Sequence, residues 1–217
     1  RGKNIKPPIL NLDLFRKNRM FAFSNLATLL NYSALFAITF LLSLYLQYIK
    51  GYNPQSAGLI LVAMPAVQAV FSPIAGRLSD RIEPRILASI GMGVNAAGLL
   101  ALMLLNEDTG TRTIVGILVM MGFGYAFFTS PNSNAIMSSI NQRSYGVASA
   151  TMATMRQIGM SFSMGITMML FSMYIGRVEI TPQYYGMLMH STRIAFSVFA
   201  VLCATGVYFS LARGNTR

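Results

Sequence analysis

A single arginine, Arg156, stands in the middle of a long apolar stretch, next to the amide side chain of Gln157. It lies about eleven residues past the start of the predicted helix, which places it roughly 16 Å along the helix axis. A charge at that depth in a membrane costs about 2.5 to 3.5 kcal/mol unless it is solvated or paired. We expect Arg156 and Gln157 to face a central cavity or a gate. The alternative is that Arg156 extends toward the membrane surface or caps backbone carbonyls.

No acidic residue accompanies Arg156 inside an apolar stretch of the sequence. The six acids all lie in predicted loops or flanks: Asp13, Asp80, Glu83, Glu107, Asp108 and Glu179. The sequence also offers no paired acids, no serine–histidine pair at a matching depth and no cluster of metal ligands. We therefore predict no catalytic residues, no metal and no cofactor, and a protein that is not an enzyme. A proton relay needs a titrating carboxylate or histidine, and His190 is more typical of an interfacial residue.

Two polar stripes are further candidates for lining a cavity. The first apolar stretch carries Thr28, Tyr32, Phe36, Thr39, Ser43 and Gln47 at helical spacing, and the fourth carries Tyr125, Phe128, Thr129 and Asn132. Gln68 and Asn95 are isolated polar residues in the second and third stretches. Polar side chains also hold membrane helices together, at about 0.6 kcal/mol for each hydrogen bond. Cavity lining and helix packing therefore both remain open for these residues.

Six apolar stretches of roughly 20 residues or more carry these candidates. They run near 21–48, 54–75, 86–105, 113–137, 146–175 and 190–211. About 20 helical residues cross a bilayer core, where unsatisfied backbone excludes loops and open strands. Hydrophobic residues make up 54% of the chain and charged residues 11%. We therefore predict an all-α integral membrane protein with six transmembrane helices in contact with membrane lipid.

Prolines and glycines predict where these helices begin, bend and pack closely. Asn53-Pro54 has the pattern of a helix N-cap followed by proline at the first helical position. Pro65 and Pro73 should interrupt or kink the helix that follows. Glycines recur in the later stretches, where small residues usually allow close contact between helices.

The net charge of +11 comes from basic residues in the predicted loops, so we do not interpret it as a sign of nucleic-acid binding. Twelve basic residues lie on one side of the predicted spans: Arg1, Lys3, Lys6, Arg16, Lys17, Arg19, Arg77, Arg81, Arg85, Arg143, Arg213 and Arg217. The other side has Lys50, Arg112, Arg177 and Arg193. The positive-inside rule then places both termini and the loop at 77–85 in the cytoplasm. We expect a multi-pass protein of the plasma (cytoplasmic) membrane. The domains are a cytoplasmic lead-in at 1–19 with an interfacial segment, a transmembrane domain at 20–212 and a cytoplasmic tail at 213–217.

The most specific motif is the loop Gly76-Arg77-Leu78-Ser79-Asp80-Arg81-Ile82-Glu83-Pro84-Arg85. It resembles the signature loop of the major facilitator superfamily, whose Gly-x-Leu-x-Asp-Arg-x-Gly-Arg-Arg pattern joins the second and third helices of each six-helix half. The matching positions are Gly76, Leu78, Asp80, Arg81 and Arg85, whereas Glu83 replaces the second glycine and Pro84 replaces a basic residue. In the family these Asp and Arg residues latch the cytoplasmic side, so the resemblance implies a cytoplasmic gate loop.

Three further segments are similar to the fourteen-span drug:proton antiporters of this superfamily: Leu14-Phe15-Arg16, Gly146-Val147-Ala148-Ser149 and Arg156-Gln157-Ile158-Gly159. The resemblance implies the carboxy-terminal half-bundle of a transporter that works by alternating access. Its implied partners are the amino-terminal half, a small-molecule substrate and protons, with the coupling acids in that other half. The implied activity is export of drugs or small amphipathic molecules. The alternatives are a sugar or metabolite carrier of the same superfamily, a six-helix homodimer and a channel.

Overall fold

The computed structural model describes residues 15–16, 18–176 and 180–214, and these residues form helices and no strands. The α-helices are α1 Arg19–Tyr32, α2 Leu35–Leu44, α3 Pro54–Leu61, α4 Ala63–Ser79, α5 Pro84–Met103, α6 Thr111–Ser138, α7 Tyr145–Tyr174 and α8 Tyr185–Ala212. A π-helical turn, Tyr45–Ile49, follows α2, and 3-10 turns precede α7 and α8. Most of the predicted lead-in and the end of the tail, residues 1–14, 17 and 215–217, lie outside the described residues.

The first predicted span is broken after Tyr32. Asn18 caps α1 by accepting a hydrogen bond from the amide of Phe21 at 3.0 Å. At the other end, Ser33 Oγ donates to the carbonyl of Leu29 at 2.7 Å, and the chain turns before α2 begins. The π-helical turn ends at Ile49, and Gly51 follows with a φ of +68°, which favours glycine. Two helical segments therefore occupy the place of the single predicted span.

Proline also divides the second predicted span. Pro65 has no N–H, and its ring clashes with the carbonyl four residues earlier. In agreement, α3 ends at Leu61 and α4 begins at Ala63, which confirms the predicted interruption. Pro73 lies inside α4 without ending it. The predicted start is also confirmed, because Asn53 Oδ1 accepts from the amide of Ser56 at 2.7 Å.

Five helical stretches among the described residues are long and apolar enough to cross a membrane: Arg19–Ile49, Pro54–Ser79, Pro84–Met103, Thr111–Ser138 and Pro182–Ala212. The predicted stretch at 146–175 is helical as α7, whose 30 residues extend about 45 Å. Its hydropathy is lower because serine, threonine, glycine, Arg156 and Gln157 interrupt the apolar residues. All six predicted stretches are therefore helical, and α7 is more polar than the other five.

Close contacts at glycines set the helix packing. α6 packs against α1, α4 and α5, while α5 packs against α8, and α1 packs against α7. A Cβ added at Gly91 of α5 would lie 2.6 Å from the carbonyl oxygen of Gly124 in α6. A Cβ at Gly159 of α7 would lie 2.5 Å from the carbonyl oxygen of Leu29 in α1. The predicted role of glycine in helix contact is confirmed at these positions.

The helix termini define two ends of the bundle. At the first, named the Asp80 end, α1, α5 and α7 begin and α4, α6 and α8 finish. The opposite end, named the Asn106 end, carries the π-helical turn and the loop between α5 and α6. Of the five apolar stretches, the one formed by α3 and α4 is the least buried. Much of α4 and α7 therefore faces outward from the described bundle.

Candidate functional site

Arg156 packs against the aromatic ring of Tyr32. Its guanidinium carbon lies 4.8 Å from the ring centroid, within the range of a cation–π interaction. Its Nε is buried without a hydrogen-bond partner, although the residue as a whole is half-buried. Tyr32 is the last residue of α1, so the guanidinium lies far from the start of that helix. A cavity-facing role for Arg156 stays a prediction.

Two contacts on α7 bring Arg156 to this position. Three residues after Arg156, Gly159 allows the backbones of α7 and α1 to approach closely. Seven residues after it, Ser163 Oγ accepts a hydrogen bond from the amide of Ala37 at 2.9 Å. Ala37 lies in the first turn of α2, where backbone amides have no partner within the helix. The break after Tyr32 thus creates a donor that α7 satisfies, and this contact fixes the register of the two helices.

Two pairs of polar side chains join the antiparallel helices α1 and α6. Tyr32 Oη lies 3.2 Å from Thr129 Oγ1, and Asn132 Nδ2 donates to Thr28 Oγ1 at 2.9 Å. We call these four residues the α1–α6 ladder. The two polar stripes that the sequence predicts therefore bond to each other, as the packing interpretation requires.

A second layer of polar contacts lies deeper in the bundle. Asn95 Nδ2 donates to Asn31 Oδ1 at 3.0 Å, so Asn95 is not the isolated residue that the sequence indicated. Tyr125 Oη donates to the carbonyl of Asn31 at 3.4 Å. Thr28, Asn95, Tyr125 and Phe128 are each at most 2% exposed. In this conformation these four residues are enclosed by helices, and a cavity-lining role for them stays a prediction.

Arg213 closes the ladder at the Asp80 end. The sequence assigned it to a solvated tail, but it is only 2% exposed, because α8 packs against α1 and α5 and the Arg213 side chain reaches Asn132 of α6. Its Nη1 donates to Asn132 Oδ1 at 2.6 Å and to Ser24 Oγ at 3.1 Å. Its Nε and Nη2 are buried without hydrogen-bond partners. Burial lowers the pKa of Arg213 to about 10, while the Glu83 carboxylate acts in the opposite direction, so the guanidinium stays charged at neutral pH.

The predicted gate loop lies between α4 and α5 at the Asp80 end. Asp80 and Arg81 are exposed there, and Arg85 Nε forms an ion pair with Glu83 Oε1 at 3.1 Å. Glu83, which replaces a glycine of the family pattern, thus gives the loop a local ion pair. The loop is also tied to α6, because Asn134 Nδ2 donates to Ser79 Oγ at 2.6 Å. A gating role for Gly76, Leu78, Asp80, Arg81 and Arg85 stays a prediction.

Four other predicted residues make contacts that are local to their own helices. Phe36 stacks on Phe40 with ring centroids 5.5 Å apart, and the exposed Thr39 bonds to the carbonyl of Leu35. Ser43 Oγ accepts from Gln47 Nε2 at 2.8 Å. Gln68 is half-buried on α4, where its carbonyl accepts from Ser72. These contacts do not bring the four residues to Arg156, and their part in a cavity stays a prediction.

Gln157 lies on a different face of α7 from Arg156, as expected for adjacent helical residues. It lines a shallow groove of about 460 Å³ that runs along α7. Phe162 and Met169, which line the same groove, are 58% and 57% exposed. The outward face of α7 therefore combines polar and large apolar groups with no described helix covering it.

Sequence reasoning missed Ser24, Asn31 and Arg213. A signal for the first two was present, because Ser24, Thr28 and Asn31 are spaced at i, i+4 and i+7 and so share one helix face. No comparable signal marks Arg213, since an arginine just after the last apolar residue is typical of a solvated tail. The described residues contain no group of three His, Cys, Asp or Glu that could hold a metal ion. The Arg156 site contains hydrogen-bond donors and an aromatic face.

Solved transporter structures share this helical arrangement. A proton-dependent oligopeptide transporter aligns with a TM-score of 0.74 and 18% identity over 90% of this chain and 42% of its own. A bacterial homologue of the human drug peptide transporters PepT1 and PepT2 aligns with a TM-score of 0.73 and 18% identity. The alignment covers 89% of this chain and 40% of that protein. At such identity the likeness shows the helical fold alone.

The sequence defines the family. The profile of the Major Facilitator Superfamily matches residues 24–215, and the chain belongs to this superfamily of transporters. It is 30% identical over 156 residues to the riboflavin transporter RibZ of Clostridioides difficile (strain 630), covering 72% of this chain and 34% of RibZ. It is 33% identical over 167 residues to the multidrug transporter protein MdtP of Bacillus subtilis (strain 168), covering 76% of this chain and 30% of MdtP. The chain therefore spans about a third of the length of these curated relatives.

Proposed function

We propose that this chain is the carboxy-terminal half of a proton-coupled secondary transporter that exports drugs or small amphipathic molecules by alternating access. The relationship to MdtP supports the substrate class, because that protein is named a multidrug transporter. The resemblance of the Arg156-Gln157-Ile158-Gly159 segment to the drug:proton antiporters supports it further.

The observation that carries the proposal is the character of α7. This helix holds Arg156 in mid-helix and has lower hydropathy than the five apolar stretches. Its outward groove is not covered by another described helix. A polar helix face is stable in a bilayer only where it meets protein or a water-filled cavity. A central cavity and a second half of the transporter would supply both.

The amino-terminal half of the same transporter is the partner that we propose for α4 and α7. Both helices are largely outward-facing, and the chain spans only about a third of its relatives. In the assembled transporter the half-buried Arg156 and Thr129 would border the cavity between the halves. Alternating access would then proceed by movement of this bundle against the other half.

We assign proton coupling to that other half as well. The described acids of this chain, Asp80, Glu83, Glu107 and Asp108, all lie in loops rather than inside helices. A carboxylate that links proton binding to transport is expected within the membrane, where burial raises its pKa toward the working pH.

The proposed location is the plasma membrane, with both termini in the cytoplasm. This orientation puts the Asp80 end in the cytoplasm, together with Arg81, Arg85 and Arg143. Lipid would cover apolar residues that face outward on α5, such as Ile90 and Leu100.

A metabolite carrier is the second candidate, and the riboflavin transporter RibZ is the observation that favours it. A planar vitamin and a planar drug make similar demands on a cavity that contains an aromatic ring and an arginine. The two candidates differ in breadth of substrate rather than in mechanism.

Dye efflux tests the proposed function. Cells that carry the complete protein are loaded separately with riboflavin and with three amphipathic dyes: ethidium, 7-diethylaminocoumarin-3-carboxylate and its ethyl ester. Efflux of at least two chemically distinct dyes that stops on addition of a protonophore is the expected result. Efflux of riboflavin alone would favour the metabolite carrier, and no protonophore-sensitive efflux of any compound would contradict both candidates.

A further inference from the structure

Arg156 brings a positive charge into a part of the bundle that holds no acid of its own. Nothing acidic lies on α1, α6 or α7, and the described acids are confined to loops. Buried ionic groups are stable when they meet an opposite charge, and an arginine in mid-membrane is costly without one. The site therefore suits a negatively charged group that comes from outside the described residues.

The surroundings of Arg156 define the rest of a ligand. The Tyr32 ring covers one side of the guanidinium, and its hydroxyl is 3.2 Å from the hydroxyl of Thr129. Leu35 and Met160 pack against the cluster that includes Tyr32. An arginine held on an aromatic ring, with a hydroxyl beside it and apolar side chains around it, suits a planar apolar molecule that carries one anionic group.

Part of the site is accessible. Arg156 and Thr129 are each half-buried, so a part of each side chain is exposed at the surface of the described bundle. The buried Nε of Arg156 lacks a hydrogen-bond partner. Guanidinium groups bind carboxylates through two parallel hydrogen bonds, which are stronger than hydrogen bonds between neutral groups. A carboxylate bound to the exposed part of the guanidinium would supply the missing counter-charge.

We propose that Arg156 binds the carboxylate, or a similar oxyanion, of an aromatic substrate, with Tyr32 and Thr129 beside it. This inference rests on the proposed transport function and adds a charge preference to it. The transporter would accept amphipathic aromatic acids in preference to their uncharged esters. A carboxylate of the amino-terminal half is the other possible source of the same charge, and the experiment separates the two.

The test compares one dye in two charge states. The complete transporter is purified into lipid nanodiscs, and binding of 7-diethylaminocoumarin-3-carboxylate and of its ethyl ester is measured by fluorescence anisotropy. The variants are Arg156→Ala, Arg156→Lys and the control Arg143→Ala, which removes an exposed arginine just before α7. The expected wild-type result is a dissociation constant about tenfold or more lower for the acid than for the ester.

In Arg156→Ala the acid should bind no better than the ester, while affinity for the ester changes by no more than about twofold. Arg156→Lys should keep part of the preference, and Arg143→Ala all of it. Three results would overturn the inference. They are equal affinities of the wild type for the acid and the ester, a preference for the acid that persists in Arg156→Ala, and no binding of either dye by the wild type. If a folded Arg156→Ala protein no longer binds either dye, the inference is also overturned. That result would favour an ion pair between Arg156 and a carboxylate of the amino-terminal half. If the wild-type protein still exports ethidium when one of these results is obtained, the proposed transport function is retained although the inference about Arg156 fails.

Discussion

Arg213 donates a hydrogen bond to Asn132 at 2.6 Å and thereby joins the end of α8 to α6 inside the bundle. Asn132 in turn bonds to Thr28 of α1, so three helices meet at one buried polar group. The ladder continues one turn farther at Tyr32 and Thr129, beside Arg156. The Arg213 contact therefore supports the geometry of the candidate site.

Removing the Arg213 side chain should destabilise the protein. Arg213→Ala leaves Asn132 Oδ1 without its donor in a buried position, which costs about 1–3 kcal/mol. Thermal unfolding of the purified protein should show a lower midpoint than the wild type. Arg112→Ala, which removes an exposed arginine at the Asn106 end, is the matched control and should leave the midpoint unchanged. Equal midpoints for both variants would show that the buried contact contributes nothing.

A methyl group should have opposite effects at two glycines. Gly159→Ala places a Cβ 2.5 Å from the carbonyl of Leu29, so α7 must move away from α1 and Arg156 from Tyr32. Gly116→Ala adds a methyl group with no neighbour within 4 Å, and alanine favours helix by about 1 kcal/mol over glycine. We expect Gly159→Ala to lower the unfolding midpoint and dye efflux, and Gly116→Ala to maintain or raise the midpoint. A Gly159→Ala protein as stable and active as the wild type would contradict the close packing.

The hydroxyl and the ring of Tyr32 should contribute separately. Tyr32→Phe removes the bond to Thr129 but keeps the face on which Arg156 stacks, so we expect about 1 kcal/mol of lost stability and retained transport. Tyr32→Leu removes both, and transport should fall further. A double-mutant cycle with Thr129→Val measures the hydrogen bond itself. Strict additivity of the two single substitutions would show that Tyr32 and Thr129 are not coupled.

The helices and two of their ends could be predicted from the sequence, because each depends on nearby residues. Long apolar stretches predict the helices, Asn53-Pro54 predicts a helix start and Pro65 predicts an interruption. The break after Tyr32 did not, since no proline or glycine marks Ser33 and Ala34. The polar stripes could be recognised in the sequence from their helical spacing. Whether they line a cavity or bond to each other depends on which helices pair, and the positions of Thr28 and Asn132 in the sequence do not determine that pairing. Arg213 was misplaced for the same reason, because burial of a residue beyond a helix end depends on which helices lie beside it.

Cysteine labelling should establish the orientation of the bundle. The native Cys203 is buried and free, so it can be replaced before new cysteines are introduced. Arg112→Cys at the Asn106 end should react with a membrane-impermeant maleimide in intact cells. Arg143→Cys at the Asp80 end should react only after the membrane is permeabilised. The reverse pattern would contradict the proposed cytoplasmic position of the Asp80 end.

The most direct measurement is proton-driven efflux of the anionic dye 7-diethylaminocoumarin-3-carboxylate by the complete protein, compared between the wild type and Arg156→Ala. If α7 carries the transport site, Arg156→Ala should lose dye efflux while its amount in the membrane is unchanged on an immunoblot. Near-normal efflux by Arg156→Ala would contradict this account and would make Arg156 a residue that only packs against Tyr32.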